Sequence, residues 1–325
     1  MLASHQLLLC GWRIHWMQSF KRILVVIEHD KVNKSNSAVQ RGVELAKKDN
    51  ASLTLMTVIP HPKKLVADLV GVISEEELID KFKNMRESEL SALADTFRDE
   101  IAVQTVTSVG REFIETIRQV VLGDHDLLIK MARVEEMGFD SSDFHLMRKC
   151  PQPVWLVKSR KTKPKKLLAA IDLSLEKEQE GKQLNARIMD LSLSLASAYS
   201  ADIEILSCWS IYGESSLRSG GFFRFSDEQM NDLINKEEQA NLQKQNDFIA
   251  RYTDTNIIGH VRKGDPKIVI PEFVNSNEVD ILVMGTVART GIPGLLIGNT
   301  SETILNKMST SVLTLKPVDF QSIIT

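Results

Sequence analysis

The sequence predicts an α/β fold, two tandem doubly wound parallel-sheet domains, and three observations carry that prediction. Short apolar runs alternate with stretches at helical spacing. The whole order then repeats once, and the run 281–284 opens into a glycine-rich loop leading straight to a helix start. Strand and helix in alternation is the pattern of a parallel sheet covered on its faces by helices. Runs that are apolar throughout suit strands buried on both sides.

In the first copy, residues 22–27 (RILVVI) form a strand, with Glu28, His29 and Asp30 as the turn at its end. Residues 37–49 place Ala38, Val39, Val43, Leu45 and Ala46 at helical spacing. A second strand covers 52–59 and stops at Pro60, which has no N–H to give a ladder. A long polar helix over 75–98 carries Leu78, Phe82, Leu90 and Leu93, and a third strand follows at 101–106. Gly110 leads into a helix over 113–122. A strand at 127–131, a short helix at 142–149 and a last strand at 154–158 complete the set.

The second copy repeats this order. KLLAAID at 166–172 matches RILVVIE at 22–28, and helix, strand, long helix and strand return at 184–199, 202–209, 226–252 and 256–261. Gly264-Asp265-Pro266 stands for Gly110-Arg111-Glu112. DILV at 280–283 repeats DLLI 154 residues later, and VLTLK at 312–316 repeats VWLVK 158 residues later. The first copy's loop after its fourth strand is therefore four residues shorter. The expected organisation is an extension over 1–19, a first domain over 20–158, a linker over 159–165, a second domain over 166–317 and a tail to 325. The apolar run Leu7 to Cys10 is too short for a signal-peptide core, so 1–16 reads as a disordered extension or an over-called start before Met17. The basic linker lacks aromatics and reads as a solvated connector rather than a nucleic-acid contact.

Composition bounds the function. With 325 residues, 43% hydrophobic and 26% charged, the chain is long enough for two domains. A net charge of −3 gives no footprint for nucleic acid or an anionic membrane. No apolar run approaches the roughly 18 residues of a membrane helix. Cys10, Cys150 and Cys208 are scattered, which fits a reduced compartment better than a disulfide scaffold. GxxxxGK[ST], GxSxG and HExxH motifs are absent, and the seven histidines show no metal-ligand spacing. No catalytic residue and no tightly bound metal are expected.

The stretch DILVMGTVARTGIPGLLIGNTSE (280–302) carries the chemistry. Gly285 breaks the strand, and Gly291, Pro293, Gly294 and Gly298 hold the loop. Asn299, three residues before Glu302, gives an N-cap pattern. Backbone N–H groups and a helix's positive end then converge on one spot, which favours phosphate. Glu302 in the first turn competes with phosphate for those N–H groups. Where the second copy has Gly285, the first has Lys130, followed by MARVEEMGFDSSD, in which only Gly138 remains. There Glu135, Glu136, Asp140 and Asp143 repel phosphate, so no nucleotide is expected in the first domain. In the second, Asp172 and Cys208 join the loop at the switch point of the sheet. Asp172 reads either as an acceptor for an adenosine or as the cap of a turn.

Gly285, Ala288, Gly298 and Asn299 resemble the nucleotide loop of the universal stress protein family. That loop is glycine-x2-glycine-x9-glycine followed by Ser or Thr; Ala288 stands at its second glycine and Asn299 at its hydroxyl residue. The resemblance covers 21–317, with HDLLIKMA and LMRKCPQPVWLVK in the first copy and GTVARTGIPGLLIGNTSETIL in the second. It implies five-stranded parallel sheets of order 3-2-1-4-5. It also implies that last strands which pair between single-domain members pair here within one chain, as an internal pseudo-dimer. Nucleotide contacts are implied at Ile171, Asp172, Cys208, Met284, Gly285, Val287, Ala288, Gly298, Asn299, Thr300 and Ser301, for ATP or another adenine nucleotide with or without Mg. The family is further associated with a cytoplasmic, non-catalytic role in the stress response, and a homodimer of whole chains is compatible with it. The competing class is a nucleotide-free scaffold or a binder of an apolar or amphiphilic ligand, with Phe222, Phe223 and Phe225 lining its pocket.

Overall fold

Each apolar run lies in a strand of the computed structural model, which describes residues 19–28, 32–61, 74–133, 139–158, 163–220, 225–252, 255–286, 299–308, 310–322 and 324. The first half runs β1 (Arg22–Val26), α1 (Ser37–Asp49), β2 (Ser52–Ile59), α2 (Glu75–Asp95), β3 (Val103–Val109), α3 (Glu112–Leu122), β4 (Leu127–Met131), α4 (Ser141–Lys149) and β5 (Val154–Val157). The second runs β6 (Lys166–Ala170), a 3-10 turn (Leu173–Lys177), α5 (Gln179–Tyr199), β7 (Asp202–Trp209), α6 (Glu214–Ser219), α7 (Asp227–Ile249), β8 (Ile257–Lys263), α8 (Pro266–Ser276), β9 (Ile281–Gly285), α9 (Asn299–Asn306) and β10 (Ser311–Leu315). Among the described residues no helix is long and apolar enough to cross a membrane.

The strands form one ten-stranded sheet, in the order β3-β2-β1-β4-β5-β10-β9-β6-β7-β8. Each half is parallel and has the order 3-2-1-4-5. The two halves meet where β5 and β10 pair antiparallel, Leu156 opposite Val312, Trp155 opposite Leu313 and Val154 opposite Thr314. Because strands within a half are parallel and the seam is antiparallel, the C-terminal strand ends of the two halves point to opposite poles of the sheet.

Burial on both faces follows from the alternation of side chains along each strand. Ile23, Val25, Ile129, Trp155, Ala169, Val283 and Leu313 face one apolar layer, completed by α1, α2, α5 and α7. Leu24, Val26, Leu128, Leu156, Leu168, Leu282 and Val312 face the other, completed by α3, α4, α8 and α9. Both layers pass through the seam without interruption.

Duplication is written into the backbone as well. Positive φ recurs at matching stations: Asn50 and Ser200 cap α1 and α5 at φ 52°, and Asp124 (48°) and Glu278 (51°) precede the fourth strands. Gly110 (149°) and Gly264 (145°) follow the third strands in a region that L side chains rarely adopt. Asp126 accepts from the N–H groups of Lys21 and Arg22 as Asp280 does from those of Lys165 and Lys166.

Several boundaries differ from the sequence reading. The third strands run to Val109 and Lys263, beyond 106 and 261, because they are edge strands paired on one side only, where polar residues such as Thr107, Ser108 and Arg262 are tolerated. Helix α5 begins at Gln179, α2 ends at Asp95, α7 ends at Ile249, and the largely polar α6 had no apolar periodicity to announce it. The register also corrects one alignment: β4 Leu128 pairs with β5 Val154 as β9 Leu282 pairs with β10 Val312. Lys130 thus stands at the station of Met284, and Met131, not Lys130, at that of Gly285.

Trp155 is almost wholly buried beside the seam, its ring edge-on to Tyr199 at 6.2 Å, and Tyr199 in turn lies under the Arg41 guanidinium at 5.1 Å. Trp155→Ala is expected to lower unfolding stability by about 3–5 kcal/mol in urea titration, the usual cost of emptying a large aromatic site.

Candidate functional site

In the second half the C-terminal ends of β6, β7 and β9 lie side by side. Ile171 leaves β6 buried, its N–H donating to Leu206 O at 3.0 Å. Asp172 caps the turn that follows: its Oδ1 accepts from Ser174 N–H (3.0 Å) and Ser174 Oγ (2.6 Å), opening the 3-10 turn. Asn185 of α5 donates to the Asp172 carbonyl at 3.0 Å and so fixes the strand end against the helix. Cys208 sits on β7, and burial, with the Asp172 and Asp265 carboxylates adding to it, pushes its thiol up to about 12. It is held as a neutral thiol, unsuited to nucleophilic work.

Met284 is buried in β9, between Ala170 and Thr314. At Gly285 the reason for glycine is packing, since an added Cβ would lie 2.9 Å from Leu184 of α5. Thr286 follows, still tied to β10, its N–H donating to Leu315 O at 3.0 Å. The chain re-enters at α9, where Ser301 Oγ donates to Gly285 O at 3.2 Å and ties the first helical turn to the last residue of β9. The structure therefore brings together Ile171, Met284, Gly285 and Ser301, with Asp172 and Cys208 on the neighbouring strand ends and Thr300 in the first turn of α9. Val287, Ala288 and Gly298, like Phe222 and Phe223, lie outside the described residues, as does the Asn299 side chain; its backbone is the first residue of α9.

Glu302 does not turn back on its helix start. Its carboxylate pairs across the seam with Arg148 of α4 at 3.1 Å. A sequence read one copy at a time has no means of finding that partner. Two further residues were missed. Asp265 caps α8, its carboxylate accepting from Lys267 N–H at 2.9 Å. Lys316 looks like an ordinary charge after a strand, yet it is buried. The signal available was its matching position with Lys158.

The first half's pole is built from opposite materials. Lys130 and Asp143 are both fully buried, with Nζ and Oδ1 2.7 Å apart. Arg133 reaches Glu28 (2.7 Å), Glu112 (2.5 Å) and Asp140 (3.4 Å), and its N–H donates to Asp143 at 2.8 Å. Asp140 is also the cap of α4, accepting from Asp143 N–H at 2.7 Å. Asp140 and Asp143, read from the sequence as carboxylates turned towards phosphate, are thus engaged in a closed ionic network; Glu135 and Glu136 lie outside the described residues. Burial raises Asp143 to about 6, against the opposing pull of the Lys130 ammonium. Glu28 occupies the station of Asp172, and Lys130 that of Met284, so the network fills the place where the second half keeps an apolar side chain and a carboxylate engaged in a cap. Among the described residues no group of His, Cys, Asp and Glu is arranged to hold a metal ion.

The family model described as the universal stress protein family matches residues 19–158 and again 164–316. The chain belongs to the universal stress protein family. Universal stress protein E of Salmonella typhi is 30% identical over 219 residues, 66% of this chain and 68% of that relative. A universal stress protein E homolog of Haemophilus influenzae is 26% identical over 311 residues, 92% of this chain and 98% of its own length. A solved Pseudomonas aeruginosa protein of unknown function superposes with a TM-score of 0.71 at 25% identity, covering 93% of this chain and 95% of that one. The two-copy architecture therefore extends along whole relatives of this family.

Lys130→Met, which installs the second half's residue, leaves Asp143 buried without its cation. It is expected to cost about 3–5 kcal/mol in urea unfolding, and adding Asp143→Leu to recover most of that loss. A second expectation concerns Lys316, which burial lowers to about 7, with Arg148 lowering it further and Cys150 opposing. Between about 7 and the unfolded value of 10.5 the unfolded chain holds a proton that the folded chain lacks, so stability rises with pH across this window. The slope contributed is at most about 1.4 kcal/mol per pH unit. Lys316→Met should flatten it, as read from the difference in melting temperature between variant and wild type from pH 7 to 10.

Proposed function

We propose that the second half binds ATP or a related adenine nucleotide where β6 and β9 part, and that the chain serves as a non-catalytic regulator in the cytoplasmic stress response. On this reading residues 20–158 and 166–317 are two domains joined by 159–165, and only the second is a ligand domain. The observation that carries it is the contrast between the poles. In the first half four carboxylates and two cations close the strand ends upon themselves. In the second, a glycine-bounded loop leaves at Thr286 and returns into the N-terminus of α9, which Ser301 anchors to Gly285. A helix N-terminus beside a strand end favours an anionic group, and drawing Glu302 aside to Arg148 relieves that terminus of its nearest internal competitor.

In this arrangement Met284, Gly285, Val287 and Ala288 lead the backbone past the phosphates, Gly298 to Ser301 supply N–H and hydroxyl donors, and Ile171, Asp172 and Cys208 face the nucleoside, with Mg neutralising the phosphates. On this reading the protein holds its nucleotide and presents the occupied state to partners.

Acid denaturation of the purified protein, followed by chromatography at the absorbance of adenine, should release adenine nucleotide. Gly298→Asp, which sets a carboxylate in the loop, should release none. ATP–Mg at about 100 times its Kd should stabilise the wild type by about 2.7 kcal/mol. Absence of nucleotide from both proteins, with no thermal shift, rejects the reading in favour of a scaffold or a binder of an amphiphilic ligand.

A further inference from the structure

The loop between Thr286 and α9 belongs to the second half, but the contacts at its two ends reach into the first. At the entry, Lys316 Nζ donates to Thr286 Oγ1 (2.5 Å) and to the carbonyl of Met147 in α4 (2.5 Å). The Thr286 hydroxyl passes its own hydrogen to Leu315 O at 3.2 Å, so the residue is held from both sides. The Phe320 ring lies 5.2 Å from Nζ, and among the described residues Lys316 has no ion-pair partner. At the exit, Glu302 in the first turn of α9 is gripped by Arg148. Met147 and Arg148 are consecutive residues in the last turn of α4. That turn carries carbonyls with no helical acceptor role left to fill, and the Met147 carbonyl is free to accept from Nζ.

We propose that the last turn of α4 in the first half is the brace of the second half's ligand loop, with Lys316 and Arg148 as positioning residues at its entry and exit. This gives the first half a task although its own pole is closed. It acts on the site of its twin, and occupancy of that site is felt in α4. The identity of the ligand as a nucleotide rests on the function proposed above; the brace itself does not.

Two measurements on the full chain keep the claims apart. In hydrogen exchange without nucleotide, Lys316→Met should speed exchange of the Thr286 amide at least tenfold, leaving strand amides of β6 unchanged. Lys48→Met provides the control, because Lys48 crosses the seam on the other layer to Ser194 O (2.8 Å) and touches neither end of the loop. It should leave Thr286 as in the wild type. In titration with ATP–Mg, Lys316→Met and Arg148→Met should each raise Kd at least fivefold, Arg148→Lys should restore most of the affinity, and Lys48→Met should change it less than twofold. Unaltered Thr286 exchange in Lys316→Met overturns the brace, as does an equal loss in Lys48→Met, which would mark a general weakening of the seam. If the wild type takes up no nucleotide, the functional reading fails while the exchange arm still decides the brace.

Discussion

The antiparallel pairing of β5 with β10 is the constraint on which the rest depends. A parallel sheet of five strands leaves its last strand with a row of unpaired N–H and C=O groups, a standing invitation to aggregation. Joining two such edges removes both at once and makes the apolar layers on either face continuous. It also fixes what lies near what. Since β5 and β10 run in opposite directions, the start of β5 lies beside the end of β10, and the helix that feeds β5 is carried to the ligand pole of the other half. The contacts of Met147 and Arg148 follow from that geometry, and so does their counterpart in the other half, Lys158 reaching Met308 O two residues past α9.

The two poles show how one fold accommodates opposite electrostatics. A buried ammonium such as that of Lys130 is tolerable only with its partner in place, because desolvation of an unpaired ion outweighs anything else the site offers. Lys130 and Asp143 therefore stand or fall together, and Arg133 draws Glu28, Glu112 and Asp140 into the same network. With four carboxylates against two cations, that pole keeps a negative excess that an incoming phosphate would meet. The second half replaces Lys130 by Met284 and Glu28 by Asp172, and spends its polar contacts on securing loop ends rather than on filling space.

Most of the fold was legible because the strands are apolar on both faces and because two copies report the same order. The run at 126–129 is a clear strand only once DILV at 280–283 repeats it. What stayed hidden was relational. Third-strand ends blurred where edge positions accept Thr, Ser and Arg. The assignment of Lys130 to Gly285 slips by one residue against the 154-residue offset of the fourth strands, which sets Met131 there, and strand register agrees with the offset. Asp172 carried two readings from its position alone, and the hydroxyl and N–H of Ser174 show that its Oδ1 caps the turn. Glu302 and Lys316 took their meaning from partners some 150 residues away, beyond the reach of any local pattern.

The opposed poles also explain how little chain the fusion required. The end of β5 and the start of β6 lie on the same side of the sheet, separated by β10 and β9, a lateral distance of about 14 Å at the usual strand spacing. Residues 158–165 can span roughly 26 Å when extended. Two strand ends on one side of the sheet, this close together, are what a head-to-tail copying of a single ancestral unit could join in one step.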